Sequence, residues 1–469
     1  MSDTAQHAGA EVEKEKGGTL GLPQATALVM GGIIGTGIFG LPYSLAQFGM
    51  LAVVTLVIVT IGALALALMF GSLVKRIPAA GGPYAYSRYY FGDFAGFTSA
   101  WPYWITAWAG NAGIVVIWVG YVQSLFGIEV SAVSGIIIAL IGLWIPALVN
   151  LAGVKSMGSF QLITTILKFI PIVFIGTIGL VYGIKEGNFP TFNPTGDNPI
   201  AAILNAMTIA LFVYLGVELA SVAAAKIKDP TKNVPIATTW GTVASGIAYI
   251  LCLVAVFGIV PPDQLAGPDG SASFSLALSD MFGGAEWASK LMSAFVVISG
   301  IGALNGWTMI CAEMPQAAAD EGLFPAIFSK LNKAKVPYWG IIISTILASA
   351  FTIFSYMTAS GADVLNTLIL VTGVTAAVPY FFSALSQLYY LLTEGRLADP
   401  KAFVKEATIA VIALIFSFLF VYGSGESATF YAYLLILVGY VVLLTLYVKR
   451  KKAGGVVEGD SSPELTGSP

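Results

Sequence analysis

The chain has 469 residues, of which 57% are apolar and only 10% are charged, whereas a soluble globular protein has about 25% charged residues. This composition excludes an ordinary cytosolic enzyme and a disordered chain, and the net charge of −3 argues against nucleic-acid binding. The only histidine, His7, stands in a polar tail, and Cys252 and Cys311 lie in unrelated segments. The sequence therefore predicts no metal site, no cofactor and no disulfide framework.

Apolar segments long enough to cross a bilayer follow one another along the chain. Residues 17–74 contain no charged residue, and because a span needs about 20 apolar residues, this stretch holds two helices and a turn. The same reading predicts twelve spans, at residues 22–46, 51–74, 94–124, 133–151, 158–183, 200–224, 236–260, 286–315, 338–357, 362–386, 406–423 and 428–448. The polar segments 1–18 and 454–469 are predicted to be disordered tails.

The basic residues predict how these spans are oriented. Nineteen of the 22 Lys and Arg residues fall at the two termini and in every second loop, on one side of the membrane. Basic loops face the cytoplasm, so both termini are expected there, in a plasma or inner cell membrane. The exceptions are Lys185 and Lys290, in or beside outer loops, and Lys168, which lies inside the fifth span.

Two spans carry signs of an interrupted helix. The first has five glycines within residues 31–40, each of which weakens a helix by roughly 1 kcal/mol relative to alanine. Unwound backbone at bilayer depth must line a cavity, but Gly31 and Gly35 also fit a helix-packing motif, and composition does not separate these alternatives. The sixth span has Gly216 followed by Glu218. Paired interruptions indicate a binding site between two repeats, here spans 1–5 and 6–10 in opposite topology.

Charged and aromatic residues within the spans are further candidates. Lys168 and Glu218 lie deep in their spans, where a charge costs at least roughly 2.5–3.5 kcal/mol and is functional by default. The alternatives are a snorkelling lysine and a structural, hydrogen-bonded acid. Glu313 lies near a span end and is interpreted as a solvated acid. Trp307 can hold a cation on its face, although position alone favours core packing.

Several motifs resemble those of the amino acid–polyamine–organocation transporter superfamily. Residues 35–39, Gly-Thr-Gly-Ile-Phe, are similar to its first-helix signature. Further segments resemble the basic amino acid/polyamine antiporters, above all the bacterial arginine/agmatine antiporter, at residues 82–86, 103–111, 216–224, 233–238, 306–308, 317–325 and 378–380. The resemblance extends from about residue 20 to 448. It implies an all-α membrane protein of twelve helices with a leucine-transporter-type 5+5 inverted repeat, whose helices 1 and 6 are unwound at mid-membrane.

The resemblance also implies a domain organisation and partners. Between the two tails, the first repeat with helices 1–5 is expected at residues 19–185. The second repeat with helices 6–10 is expected at 186–388, and helices 11–12 at 389–453. The partners are a small amino acid or amine substrate, the lipid bilayer and, because close relatives dimerise, a second copy of the chain.

At one end of the implied pocket, the main-chain groups of an amino acid substrate would bind. Thr36 and the amide of Gly37 match the positions that hold the substrate carboxylate. The carbonyl groups of Ile33, Phe212 and Leu215 match those that hold the α-amine. Phe212 stands where the antiporter has a gating tryptophan.

At the other end, the substrate side chain would bind. Asn111 and Thr372 would line this end, with Thr372 in place of a serine of the antiporter, and the backbone of Thr106 and Ala107 lies beside it. The face of Trp307 would stack on a guanidinium or ammonium group. The resemblance thereby favours a binding role for Trp307 over core packing.

Gating residues and two departures complete the resemblance. Tyr103, Glu218 and Tyr380 match a gate, with Glu218 as the candidate proton-linked acid. Gly32 replaces an asparagine of the antiporter, which removes part of the polar lining. Lys168 stands in a run, residues 161–168, that resembles the fifth helix of the L-type and cationic amino acid transporters. In those relatives the lysine ammonium takes the place of a sodium ion.

The sequence therefore indicates a sodium-independent secondary transporter, and not an enzyme. The favoured function is exchange of a cationic amino acid, of arginine, ornithine or lysine type, for its decarboxylated amine or a related cation by alternating access. The first alternative is a proton-coupled or facilitative importer of neutral amino acids, which Lys168 and Gly32 favour and which Trp307 and Asn111 oppose. The second, a sensor that does not transport, is disfavoured by the paired interruptions.

Overall fold

The computed structural model describes residues 20–79, 81–129, 131–153, 164, 166–358, 361–393 and 400–452. The predicted tails, 1–18 and 454–469, lie outside these residues. The described residues are helical, and extended pairing within them is limited to two isolated β-bridges, Leu20–Ile227 and Leu331–Pro337.

The helices are numbered here in chain order. The first eight are α1 (Leu22–Ile33), α2 (Gly37–Leu45), α3 (Leu51–Arg76), α4 (Pro83–Phe126), α5 (Ala132–Leu151), α6 (Ile166–Glu186), α7 (Pro199–Phe212) and α8 (Leu219–Val222). The others are α9 (Pro230–Ile259), α10 (Ser273–Met281), α11 (Glu286–Asp320), α12 (Tyr338–Thr358), α13 (Gly361–Thr393), α14 (Pro400–Gly423) and α15 (Gly425–Lys452). Single helical turns also occur, the four-residue Pro262–Leu265 among them.

Eleven segments of the described chain are helical, long and apolar enough to cross a membrane. They coincide with eleven of the twelve predicted spans, which confirms an all-helical, multi-pass membrane protein. The remaining predicted span, 200–224, contains α7, which has only 14 residues, then a turn and α8. The third span begins earlier than predicted, at Pro83, because a bend at Gly92 (φ 78°) joins a short helix to the long one.

Two interruptions divide otherwise apolar helical segments. The first lies between Ile33, where α1 ends, and Gly37, where α2 begins. The second lies between the end of α7 and the start of α8, and contains Gly216 with a φ of 105°. A Cβ atom on Gly216 would lie 2.9 Å from the carbonyl carbon of Gly32. The two interruptions therefore touch backbone to backbone, and glycine alone permits both the conformation and the close approach.

Long helices surround this contact. The helices α11 and α13 pack against α4, whereas α9 packs against α1 and α3. The shorter α7 contacts α2, α3, α13 and α14. The least buried of the candidate spans are α14 and α15.

Candidate functional site

The two interruptions meet at a small cavity. Its walls come from both interruptions, from α4 and from α11, through Gly32, Ile33, Gly35, Gly37, Thr106, Gly110, Ile114, Phe212, Val213, Leu215 and Trp307. The cavity volume is about 20 Å³, and one water molecule needs roughly 10–15 Å³ of such space. This closed conformation therefore admits about one water molecule and excludes an amino acid.

The structure brings about half of the predicted pocket residues to this cavity. Those that line it are Ile33, Gly37, Thr106, Phe212, Leu215 and Trp307. Those that are buried but do not line it are Thr36, Tyr103, Ala107, Asn111 and Thr372. Two of their hydroxyls bind backbone instead, because Thr36 Oγ1 donates to the Ile114 carbonyl (3.2 Å) and Thr372 Oγ1 to the Ile369 carbonyl (2.6 Å).

The helix ends at the cavity have opposite polarity. The first amide groups of a helix attract anions, and its last carbonyl groups attract cations. Gly37, the first residue of α2, and Ile33, the last of α1, both line the cavity, as do Phe212 and Leu215 at and after the end of α7. The wall of this cavity therefore contains both a helix start that attracts anions and helix ends that attract cations.

Tyr249 of α9 joins the two interruptions and was not predicted. Its hydroxyl oxygen lies 2.5 Å from the carbonyl oxygen of Ile33 and 2.9 Å from that of Val213. The ring packs edge-on against Tyr214, with centroids 5.4 Å apart, and the Tyr214 hydroxyl lies 2.5 Å from Thr60 Oγ1. No local sequence signal distinguishes Tyr249, because its role depends on carbonyl groups that lie far away in the chain.

A buried carboxylate collects three hydrogen bonds beside the second interruption. Glu218 Oε1 accepts from the Tyr103 hydroxyl (2.9 Å), and Oε2 accepts from the Tyr380 hydroxyl (2.6 Å) and the Gly216 amide (3.3 Å). The side chains of Glu218, Tyr103 and Tyr380 are all buried. The structure thus brings together the three residues predicted as a gate, from α4, the second interruption and α13.

Lys168 of α6 binds the end of the first helix. Its Nζ lies 3.2 Å from the carbonyl oxygen of Gly31, and the side chain is only 1% exposed. In a continuous helix the Gly35 amide would donate to the Gly31 carbonyl. Because α1 ends at Ile33, the Gly35 amide donates to the Ile33 carbonyl instead, and the Gly31 carbonyl lacks its helical partner. A cation there also neutralises the negative end of the helix. The described contacts include no hydrogen bond from Lys168 to α11, and residues 161–163 and 165 lie outside the described chain.

The predicted side-chain end has one unused acceptor. Asn111 Nδ2 lies 3.5 Å from Thr308 Oγ1 and 3.8 Å from Cys311 Sγ, whereas Asn111 Oδ1 is buried without a partner among the described residues. A ligand that donates hydrogen bonds would satisfy this oxygen. The Thr106 hydroxyl is hydrogen-bonded to the Thr375 hydroxyl, with 2.8 Å between the two oxygens.

The space at Gly32 is filled from the second interruption. A Cβ atom at this position would lie 2.0 Å from Cδ1 of Leu219. The side chain of Leu219 therefore takes the volume that an asparagine at position 32 would need. Within the described chain, moreover, no three His, Cys, Asp or Glu residues form a group that could hold a metal ion.

Comparison with known proteins extends over almost the whole chain. A family model described as "Amino acid permease" matches residues 20–445. The putrescine transporter PotE of Haemophilus influenzae is 30% identical, over 91% of this chain and 97% of the relative. An arginine/ornithine antiporter of Pseudomonas aeruginosa is 30% identical, over 88% of each chain. A cadaverine/lysine antiporter of Escherichia coli is 28% identical, over 90% of this chain and 94% of the relative.

Proposed function

Because the chain belongs to the amino acid permease family, we propose that it is a sodium-independent secondary transporter, and not an enzyme. It exchanges a cationic amino acid, of arginine, ornithine or lysine type, for its decarboxylated amine or a related cation by alternating access. The names of the full-length relatives, which pair basic amino acids or specify putrescine and cadaverine, support this substrate class. The observation that carries the proposal is the cavity at which two interrupted helices and Trp307 converge.

In this proposal the main-chain end of the substrate binds between the helix ends. The carboxylate binds Thr36 and the amide of Gly37 at the start of α2. The ammonium binds the carbonyl groups of Ile33, Phe212 and Leu215. Since the Tyr249 hydroxyl occupies the Ile33 carbonyl in the closed conformation, the arriving ammonium would replace that hydroxyl.

The cationic side chain binds at the opposite end. The face of Trp307 holds the guanidinium or ammonium by a cation–π interaction. Asn111 Oδ1, which has no described partner, accepts a hydrogen bond from the same group. Thr372 and the backbone of Thr106 and Ala107 complete this end once the cavity widens.

Gating and sodium independence follow from the two buried charges. Glu218 with Tyr103 and Tyr380 forms the gate, and protonation of the carboxylate changes its hydrogen bonds. The Lys168 ammonium takes the place of a sodium ion by binding the freed Gly31 carbonyl. A second candidate function is proton-coupled or facilitative import of neutral amino acids. The apolar surroundings of Gly32, filled by Leu219, favour that alternative.

Alternating access is supported by a closed centre between two larger cavities. One, of about 300 Å³, is lined by residues such as Lys226 and Glu313, next to the basic loops. The other, of about 290 Å³, is lined by residues such as Gly127 and Asp269 from loops of the opposite set. In the proposed cycle each of these cavities connects in turn with the central one.

The proposed architecture is twelve spans, with α7 and α8 together forming the sixth. Repeats at residues 19–185 and 186–388 have opposite topology, so that both interruptions lie at mid-membrane. Helices 11–12 follow at 389–453, and the tails 1–18 and 454–469 lie in the cytoplasm. The protein works in the cell membrane, in contact with lipid, as a homodimer.

Exchange in proteoliposomes tests the function. Uptake of labelled arginine, ornithine and lysine is measured with internal agmatine, putrescine or cadaverine and with empty vesicles. Each uptake measurement is made once in sodium buffer and once in choline buffer. We expect uptake only with an internal amine, at equal rates in both buffers. Uptake of leucine into empty vesicles, without cation exchange, would support the alternative instead.

A further inference from the structure

A charged cavity lies between the end of α8 and the helix α11, outside the proposed substrate site. Its volume is about 300 Å³, and four charged side chains line it: Lys226, Glu313, Asp320 and Lys335. None of the residues proposed to bind substrate in the centre lines this cavity. The charged cavity is therefore separate from the central one.

One ion pair crosses this cavity. Lys226 Nζ contacts Glu313 Oε1, and the two side chains are 51% and 23% exposed. Lys226 follows α8, whereas Glu313 belongs to α11. Leu20, just before α1, makes two backbone hydrogen bonds to the same segment, with the Lys226 carbonyl (2.9 Å) and the Lys228 amide (2.8 Å). The ion pair thus connects both interrupted spans to α11.

Glu313 also lies close to the central site along α11. It follows Trp307 by six residues, about 9 Å along a helix that rises 1.5 Å per residue. Met309, between them, already lines the charged cavity. Along the axis of α11, the Glu313 carboxylate therefore lies between the level of Trp307 and the basic loop that follows this helix.

We propose that Glu313 is a docking site for the primary ammonium group of a cationic substrate, and that Lys226 occupies this site while the cavity is empty. A lysine side chain is a four-carbon chain that ends in a primary ammonium, so it resembles a diamine or a basic amino acid side chain. Substrate and Lys226 compete for one carboxylate. When substrate displaces Lys226 from Glu313, the ion pair that connects the interrupted spans to α11 is broken.

The exposure of the pair makes such competition feasible. A partly exposed lysine–carboxylate pair contributes little net stability and is screened by salt, so a soluble ammonium can replace the tethered one. This inference rests on the proposed function, because it needs a cationic cargo. It goes beyond that function by giving the protein a second cation site, on the face that carries the basic loops.

Two substitutions at the ion pair distinguish docking from a structural role. Putrescine exchange is measured in oriented vesicles, with KM determined separately for each face. Lys226→Gln removes the competing ammonium, so KM on the face of the basic loops should fall roughly three- to ten-fold. Glu313→Gln removes the docking carboxylate, so the same KM should rise by a similar factor. If the ion pair were only structural, both substitutions would shift KM in the same direction, because either one breaks the pair.

Controls in the same vesicles complete the test. Lys228→Gln alters an exposed lysine two residues on that does not line the cavity, and KM should stay unchanged, as should KM on the opposite face for every variant. Thermal unfolding of the purified variants verifies that both fold. If the wild type exchanges cations but the two substitutions shift KM in the same direction or not at all, the docking site alone is overturned. A wild type that exchanges no cation overturns the proposed function and the docking site with it.

Discussion

At the scale of single residues, Trp307 shows how environment decides between two roles. The side chain is 5% exposed, as a core tryptophan would be, yet it lines the cavity at which the interruptions meet. Nothing in its burial separates packing from binding. Because it lines the cavity together with residues at the helix ends, a cation–π role for Trp307 remains a prediction that substitution can test.

Replacement of Trp307 by leucine should weaken binding of arginine-like substrates by about 1–2 kcal/mol, because a leucine has no π face for the cation. That corresponds to a five- to thirty-fold higher Kd, to be measured by calorimetry on purified protein. The Kd of Trp307→Phe, which keeps an aromatic face, should lie between the values for the wild type and Trp307→Leu. Equal affinity in all three proteins would assign Trp307 to core packing.

Glu218 owes its position to three donors rather than to a counter-ion. A carboxylate that accepts from Tyr103, Tyr380 and the Gly216 amide is satisfied when ionised. A proton on one oxygen turns an acceptor into a donor, and at least one of these bonds must then rearrange. A change in the protonation of Glu218 therefore changes its hydrogen bonds to these groups.

Substitution Glu218→Gln should flatten the dependence of exchange on pH, because the amide mimics the neutral acid at every pH. Exchange rates are measured across the pH range with equal pH on both sides of the vesicle membrane. Tyr380→Phe, which removes one donor and keeps the titrating group, should retain a pH dependence. If the glutamine variant keeps the wild-type pH profile, Glu218 has no proton-linked role.

At the scale of elements, the end of α1 depends on a charge from another helix. A helix end inside a membrane leaves carbonyl groups without partners, which is costly in the absence of water. Lys168 supplies one donor, to Gly31, and Tyr249 supplies another, to the Ile33 carbonyl, which also accepts from the Gly35 amide. The sequence identified Lys168 as a charge deep in its span, whereas only the structure identifies the Gly31 carbonyl as its partner.

Loss of this cation should slow transport more than it weakens substrate binding, since Lys168 connects α6 to the end of α1 and does not line the cavity. Lys168→Met keeps the length and removes the charge, whereas Lys168→Arg keeps a charge. Turnover and Kd are compared in sodium and choline buffers. A wild type that requires sodium contradicts the substitution of lysine for sodium. A fully active methionine variant shows that the charge is dispensable.

The contact between the two interruptions gives a matched pair of glycine substitutions. Gly216→Ala places a Cβ atom 2.9 Å from the Gly32 carbonyl carbon at a φ of 105°, and it should abolish most transport. Strain of this kind costs on the order of 1–3 kcal/mol, which a lower thermal midpoint would reveal. Gly110→Ala adds the same methyl group inside α4, where no heavy atom lies within 4 Å, and its thermal midpoint should equal or exceed that of the wild type. Equal stability of the two variants would contradict the close approach.

At the scale of the whole molecule, the described conformation is closed in the centre. The central cavity admits about one water molecule, whereas two other cavities reach about 300 and 290 Å³. Binding an amino acid therefore requires the interrupted helices to move relative to α4 and α11. Cys311, fully buried beside Asn111, reports on this motion.

In a Cys252→Ser background, Cys311 should react slowly with a membrane-impermeant maleimide while the protein is closed. Cycling with a transported cation should change the labelling rate several-fold, because each opening exposes the side-chain end of the site. The measurement is mass spectrometry of intact protein over time, with leucine as the control solute. Rapid labelling without substrate would show that the closed conformation is not the resting one.

Local signals were enough for much of the fold. Runs of apolar residues gave eleven helical spans close to their observed bounds, since a bilayer imposes the same minimum length on each. The glycines at residues 31–40 and at 216 marked both interruptions. The bend at Gly92 was missed, because a single glycine in a helical segment is usually tolerated.

The amino-acid pattern was sufficient to predict the length of the spans, the interruptions in two of them, and the charges of Lys168 and Glu218 within the fifth and sixth. Which of these groups meet depends on how the helices pack. Ile33 and Tyr249 are 216 residues apart, and Glu218 and Tyr380 are 162 apart, so no local pattern links them. Likewise, Leu219 fills the space beside Gly32 only because two interruptions pack together. Helices are specified by local propensity and apolar length, whereas a site between helices is specified by packing among residues distant in the chain.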